Sequence, residues 1–217
     1  MSPFVKNTIY FVLAVFVFIV FYSGYVILQA KEETPAIFAK ALKAENIAIS
    51  LKDFGKARET ILLKIEDPGF YAHHGVDYDT PGQGLTTIPQ AMVKNLYFKD
   101  FKPGTPKLKQ SLIAAFALTP LISKKDQLTV FINTAYFGHQ DKQDVKGFAQ
   151  ASQVYFDKTF PELSEDEYIA LVAMLIAPNA YHIKRFPNKN ALRVSRIKQV
   201  LSGDYKPKSL MDQFYDQ

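Results

Sequence analysis

Between Asn7 and Ala30 no side chain carries a charge, and Ile9–Leu28 is an almost unbroken apolar and aromatic run. Roughly 20 such residues are what a helix needs to cross the hydrocarbon core of a bilayer. The stretch exceeds the apolar region of about 7–15 residues in a secretory signal. Its end, Tyr25-Val26-Ile27-Leu28-Gln29-Ala30, is also a poor small-x-small cleavage site. Residues 1–30 are therefore read as an uncleaved, single-pass anchor. Lys6 precedes the run and Lys31-Glu32-Glu33 follows it, which by the positive-inside rule places the amino terminus in the cytoplasm and the rest outside.

Beyond the anchor the apolar positions turn to helical spacing. Residues 31–56 read as a membrane-proximal stalk, a short helix over Lys31–Leu51 with Pro35 near its start and Ile37, Leu42, Ile47 and Leu51 loosely periodic; residues 57–217 read as one globular domain. Ile61, Leu62 and Ile65 predict a helix over Arg58–Ile65 that Glu66 closes ahead of Pro68-Gly69. Tyr71–Thr87 is punctuated by glycine and proline and predicts turns. Helices are predicted over Thr87–Leu96, with Pro89 in the first turn, over Lys107–Leu121, which carries the strongest pattern, and over Lys124–Ala135. A polar loop is predicted at Gly138–Asp144, then helices at Gly147–Phe156, Ser164–Ile176 and Ala191–Leu201. Ser164 and Glu167 have capping-box spacing. No series of alternating segments or internal repeat stands out, so the fold class predicted is mainly α.

Composition changes this picture little. The chain has 217 residues, 48% hydrophobic and 22% charged, enough for one core and without a compositional break that would mark a second. The absence of cysteine excludes disulfides, thiolate chemistry and thiolate metal sites. A net charge of +5 suits an anionic partner.

Two clusters carry candidate chemistry. Glu66-Asp67 is followed by a Pro-Gly turn, by Phe70 and Tyr71, and by His73-His74. A carboxylate in partly apolar surroundings is raised in pKa and can serve as acid or base near neutrality, although adjacent carboxylates at a helix end are more often simply solvated. Adjacent histidines rarely share a metal, no helical H-E-x-x-H spacing exists, and His73 reads as a structural histidine of the turn. The second cluster is basic: Lys94, Lys99, Lys102, Lys107 and Lys109, interleaved with Tyr97, Phe98 and Phe101. Five lysines near a turn-rich loop suit phosphate, each acting as a compact point charge. With an anchor in the same chain, a phospholipid or pyrophosphate-linked substrate fits better than nucleic acid.

Over about Ile61–Leu201 these residues resemble the family 51 peptidoglycan glycosyltransferases, in their monofunctional, membrane-anchored form. Glu66-Asp67-Pro68-Gly69-Phe70-Tyr71-Ala72-His73-His74-Gly75 resembles the motif E-D-x-x-F-x-x-H-x-G, which carries that family's catalytic glutamate. Gly84-Leu85-Thr86-Thr87-Ile88-Pro89-Gln90, then Lys94-Asn95, resembles G-x-S-T-I-x-Q followed by K-N. Lys107-Leu108-Lys109-Gln110 resembles R-K-x-x-E, and Phe131–Gly138 resembles Y-L-N-x-x-Y-F-G with Asn133 at the asparagine. Gly147–Lys158 and Leu163–Tyr181 resemble the remaining motifs in order.

The resemblance implies a lysozyme-like helical domain with a small membrane-proximal lobe, on the outer face of a bacterial cytoplasmic membrane. It implies lipid II and the growing glycan strand as substrates, with the membrane and other cell-wall synthesis proteins as partners. It assigns Glu66 as general base and Gln110 to the place of a second catalytic glutamate. Asp67, Phe70, His73, Thr86, Thr87, Gln90, Lys94, Lys102, Lys107 and Asn133 become substrate-binding candidates. No cofactor is required by it and no metal ligand assigned, although Mg²⁺ or Mn²⁺ assists many members. The chain also departs from the pattern. Gln110 carries no charge, Ala91 replaces a second glutamine, Pro106 an arginine, Thr129 a glutamate and Asp157 a glycine, and only eight residues separate Gly75 from Gly84. These departures leave open a relative that binds lipid II as a scaffold without turnover. A glycan hydrolase is a third reading, which the lysines disfavour.

Overall fold

The computed structural model describes residues 2–102 and 104–216. Its first element, α1, is a single helix over Pro3–Ala41. The mean hydropathy of its most apolar 18-residue window is 2.6, and that window is almost wholly exposed. A soluble core helix of this composition would bury its length. This one displays Phe11, Phe16, Phe18 and Phe21 to the surroundings, as a bilayer-spanning helix does. From Val26 onward one stripe turns inward. Val26, Ala30, Thr34 and Phe38, four residues apart, are buried against the protein. The expected separate stalk helix is thus an extension of the anchor, with Pro35 inside it and Thr34 Oγ1 hydrogen-bonded to Tyr97 Oη at 2.7 Å. The helix ends at Ala41 rather than near Leu51, and a short 3₁₀ turn at Ala44–Asn46 leads to α2 (Leu51–Phe54).

The domain proper is built from α3 (Lys56–Glu66), α4 (Ile88–Tyr97), α5 (Thr105–Ile113), α6 (Thr119–Leu121), α7 (Lys124–Thr134), α8 (Gly147–Phe156), α9 (Glu165–Leu175) and α10 (Pro187–Ser202). The mainly α, lysozyme-like helical architecture expected behind one apolar helix is what the chain adopts. The expected continuous helix Lys107–Leu121 is interrupted: between α5 and α6 the backbone widens into a π turn over Ala114–Leu118. The site of widening is where Gly75 (φ +97°) lies so close that a Cβ there would collide with the Ala114 carbonyl. The expected loop at Gly138–Asp144 is a hairpin, β1 (Tyr136–Gln140) paired antiparallel with β2 (Gln143–Lys146). Asp141 and Lys142 both take positive φ, 50° and 64°, as a two-residue primed turn needs. The strands are too short for alternation to reveal, and the turn lacks the glycine that usually signals it. Helix α10 starts four residues before the predicted Ala191 because Pro187 sits in its first turn, where its missing N–H costs nothing.

The core centres on an aromatic cluster. Phe54 stacks on Phe160 at 5.2 Å between ring centroids, and Phe148 meets Phe137 edge-on at 4.9 Å. Arg58 from α3 lies 4.5 Å from the Phe160 ring centre and donates to the Phe160 and Leu163 carbonyls. The capping box at Ser164 forms as predicted, with Glu167 N–H donating to Ser164 Oγ and Ser164 N–H to the Glu167 carboxylate. Together these contacts fix α3, and with it the carboxylate at its end.

Candidate active site

Glu66 is the last residue of α3, and the chain turns sharply after it through Asp67. Asp67 is fully buried. Its Oδ2 accepts from the Ile88 N–H at 2.8 Å, and its Oδ1 lies 2.8 Å from His73 Nε2. The Gly75 N–H donates to His73 Nδ1 at 3.0 Å, so Nδ1 is the acceptor and Nε2 carries the proton given to Asp67. Thr87 caps α4 in a capping box with Gln90 and donates from Oγ1 to the Gly75 carbonyl at 2.7 Å. Gln90 continues the network, donating from Nε2 to Ser111 Oγ at 2.8 Å and accepting at its backbone carbonyl from Gln110 Nε2 at 2.6 Å. One buried hydrogen-bond chain thereby ties the turn after Glu66, the start of α4 and the inner face of α5.

Above this chain lies a cleft of about 390 Å³. Glu66, Thr86, Thr87, Lys94, Lys107 and Gln110 line it, along with Gln83 and Arg193. Lys107 Nζ donates to the Leu85 carbonyl and to Thr86 Oγ1, each at 3.0 Å. Burial and the neighbouring Lys94 charge hold the Lys107 ammonium below its usual pKa. Such a pair is frustrated by itself and is relieved by an anion. Burial pushes the Glu66 carboxyl up to about 7; Asp67 adds to the rise, and the Arg193 guanidinium opposes it. A carboxyl poised there is half ionised near neutrality and suits proton abstraction from a hydroxyl.

The other candidates fall outside the cleft. Asp67, Phe70 and Gln90 are buried and His73 is partly buried; none of them lines the cleft, and Lys124 Nζ lies 4.5 Å from the Phe70 ring centre. Asn133 on α7 exchanges hydrogen bonds with the Ile49 backbone in both directions, at 3.0 and 2.9 Å, which ties α7 to the segment before α2. Lys102 is exposed and does not line the cleft. Arg193 and Gln83 are among the lining residues that escaped the sequence reading. Arg193 shares a buried stripe of α10 with Asn190, Ile197 and Val200, so a cation at core register was the available signal. Gln83 lies in a turn, and nothing in its pattern marks it.

A resident divalent cation does not fit this donor set. Among the described residues no three histidine or carboxylate side chains converge. Gln110 is neutral, and its Nε2 already donates to a carbonyl.

A transglycosylase family profile matches residues 35–202. The chain belongs to the transglycosylase family. It is a divergent glycosyltransferase-domain member, similar at 29% identity over 79% of its length to penicillin-binding protein 1B of Buchnera aphidicola, of which it covers 24%. It is 31% identical over 69% of its length to penicillin-binding protein 1F of Bacillus subtilis, covering 22% of that protein. It is 30% identical over 76% of its length to penicillin-binding protein 1A of Neisseria cinerea, covering 21%. The chain thus spans under a quarter of the length of these curated relatives.

Proposed function

We propose that the chain polymerises lipid II into glycan strands on the outer face of the cytoplasmic membrane, with Glu66 as general base. Glu66 takes the proton from the 4-hydroxyl of the acceptor N-acetylglucosamine. That oxygen attacks the anomeric carbon of the lipid-linked N-acetylmuramic acid of the growing strand with inversion, and undecaprenyl pyrophosphate leaves. The observation that carries this reading is a carboxyl at about pKa 7 in one cleft with two lysines. Base and anion-stabilising groups are the two needs of such a transfer. Lys94 and Lys107 meet the charge developing on the leaving pyrophosphate. α1 supports the reading by keeping the cleft near the bilayer that carries the substrate. Other cell-wall synthesis proteins are the partners expected at such a site.

Gln110 favours a second reading, a protein that holds lipid II without turning it over, because a neutral amide stands where the resemblance places a second carboxylate. The full chain in detergent, incubated with labelled lipid II, separates the two. Polymer made by wild type and abolished in Glu66→Gln supports transfer. Saturable binding without polymer supports holding, and polymer unaffected by Glu66→Gln refutes the assignment of the base.

A further inference from the structure

Three residues that line the Glu66 cleft each carry a buried polar atom that no group among the described residues satisfies. Gln83 and Gln110 are 3% and 1% exposed, and the Oε1 of each has no hydrogen-bond partner; Arg193, 3% exposed, has an unpartnered Nε–H. All three residues line the cleft. The amide orientations follow from the other end of each side chain. Gln83 Nε2 faces the Glu66 and Thr86 carbonyls, each at 3.3 Å, and Gln110 Nε2 faces the Gln90 carbonyl. In both, the nitrogen is the bonded end and the oxygen is left over.

We infer that Gln83 is a substrate-contacting residue which, with Gln110, accepts hydrogens from hydroxyl or amide N–H groups of the sugar held against Glu66. A buried acceptor without a donor disfavours the empty site and is satisfied by a ligand that brings one. Two carboxamide oxygens repel phosphate oxygens, so this end of the cleft takes the uncharged sugar, and the Lys94–Lys107 end takes the pyrophosphate. The Arg193 Nε–H supplies a donor for a hydroxyl or acetamido oxygen. An N-acetylated hexosamine presents both kinds of group.

Gln83 is also held in place. The N–H groups on either side of it, from Gly82 and Gly84, donate to the Ser209 and Leu210 carbonyls at 2.9 and 2.7 Å. The segment that receives them is pinned in turn by Arg193, which donates from Nη1 to the Gln213 carbonyl at 3.0 Å. Residues 209–213 thus brace the short connection between Gly75 and Gly84, and a braced acceptor binds without the cost of being ordered first.

The inference rests on the transfer proposal for the identity of the ligand. It is tested by binding, with the full chain in detergent and a lipid-linked disaccharide ending in N-acetylglucosamine. The same ligand is also made with its terminal hydroxyls singly removed and with its acetamido nitrogen methylated. Gln83→Met removes the acceptor; Gln83→Lys removes it while keeping N–H donors for the Glu66 and Thr86 carbonyls, so a merely structural role is rescued by lysine. Both variants are expected to bind about 10-fold more weakly or worse. At least one altered ligand should lose that factor against wild type and nothing further against Gln83→Lys. Unchanged binding by the variants overturns the inference, even where wild type makes polymer. Equal losses for every ligand in wild type and variant overturn it too. Wild-type binding with this coupling but without polymer upholds it while refuting transfer, and no wild-type binding overturns both.

Discussion

The acidity of Glu66 makes a quantitative prediction about pH. With a midpoint near 7, the ionised fraction is about 0.1 at pH 6 and about 0.9 at pH 8, so turnover limited by the free base should rise roughly 10-fold over that interval. An ordinary glutamate, near 4.5, would already be ionised throughout, and the profile would be flat. The same acidity has a stability counterpart whose sign can be worked out. The folded state holds the Glu66 proton more tightly than the unfolded chain. Its contribution is therefore fully present below the unfolded pKa, near 4.5, and is lost as pH rises through about 7. At 1.36 kcal/mol per pH unit the full loss is on the order of 3 kcal/mol. The cause is desolvation, so replacing the carboxyl by an amide removes it. Denaturant midpoints of wild type and Glu66→Gln, compared at about pH 5 and about pH 8, should show the variant gaining relative to wild type at the higher pH. A difference between the two proteins that does not change with pH, or turnover that is flat from about pH 6 to 8, would falsify the account of Glu66 as a base raised by burial.

Three substitutions extend the argument. Arg193→Met removes the cation that holds Glu66 down, so the pH midpoint should move above 7, read by carboxylate infrared difference against Glu66→Gln; a downward move refutes the assignment of Arg193. Lys107→Gln removes a charge at the phosphate end and should lower turnover by about 10²-fold with the fold intact, read as kcat on lipid II; an unchanged kcat excludes Lys107 from the reaction. Gln110→Glu should lower Tm rather than raise turnover, because glutamate cannot donate to the Gln90 carbonyl that Gln110 Nε2 now satisfies; the cost is about 1–3 kcal/mol. A more active and equally stable Gln110→Glu would show that the Gln90 contact is dispensable.

What the sequence made legible follows the range over which each signal acts. Glu66 closing a helix before a Pro-Gly turn, Pro89 in the first turn of α4 and the Ser164–Glu167 capping box are set by neighbours a few residues apart, and all are present. The long apolar run of α1 was equally plain, whereas its continuation past residue 30 depended on packing the Val26–Phe38 stripe against the domain. Local pattern could not show the hairpin, whose turn uses Asp141 and Lys142 in place of glycine. Nor could it show the π turn, which coincides with the close approach of Gly75 from a loop far away in sequence.

The site divides along the same line. Its floor comes from the motifs read in sequence, in which Asp67, His73, Gly75, Thr87, Gln90 and Gln110 form one hydrogen-bond chain. The opposite side comes from Arg193 and from the segment after α10, whose Gln213 and Phe214 also line the cleft. That segment bonds to the turn at Gly82 and Gly84, the place where the connection from Gly75 is short. The short connection read in sequence between Gly75 and Gly84 is met in the fold by residues more than a hundred positions later. The same late residues bring the buried cation that sets how far burial can raise Glu66. The acidity of the base is therefore decided jointly by the first motif and by a helix outside all the catalytic ones, and a reading confined to motifs sees only the half that raises it.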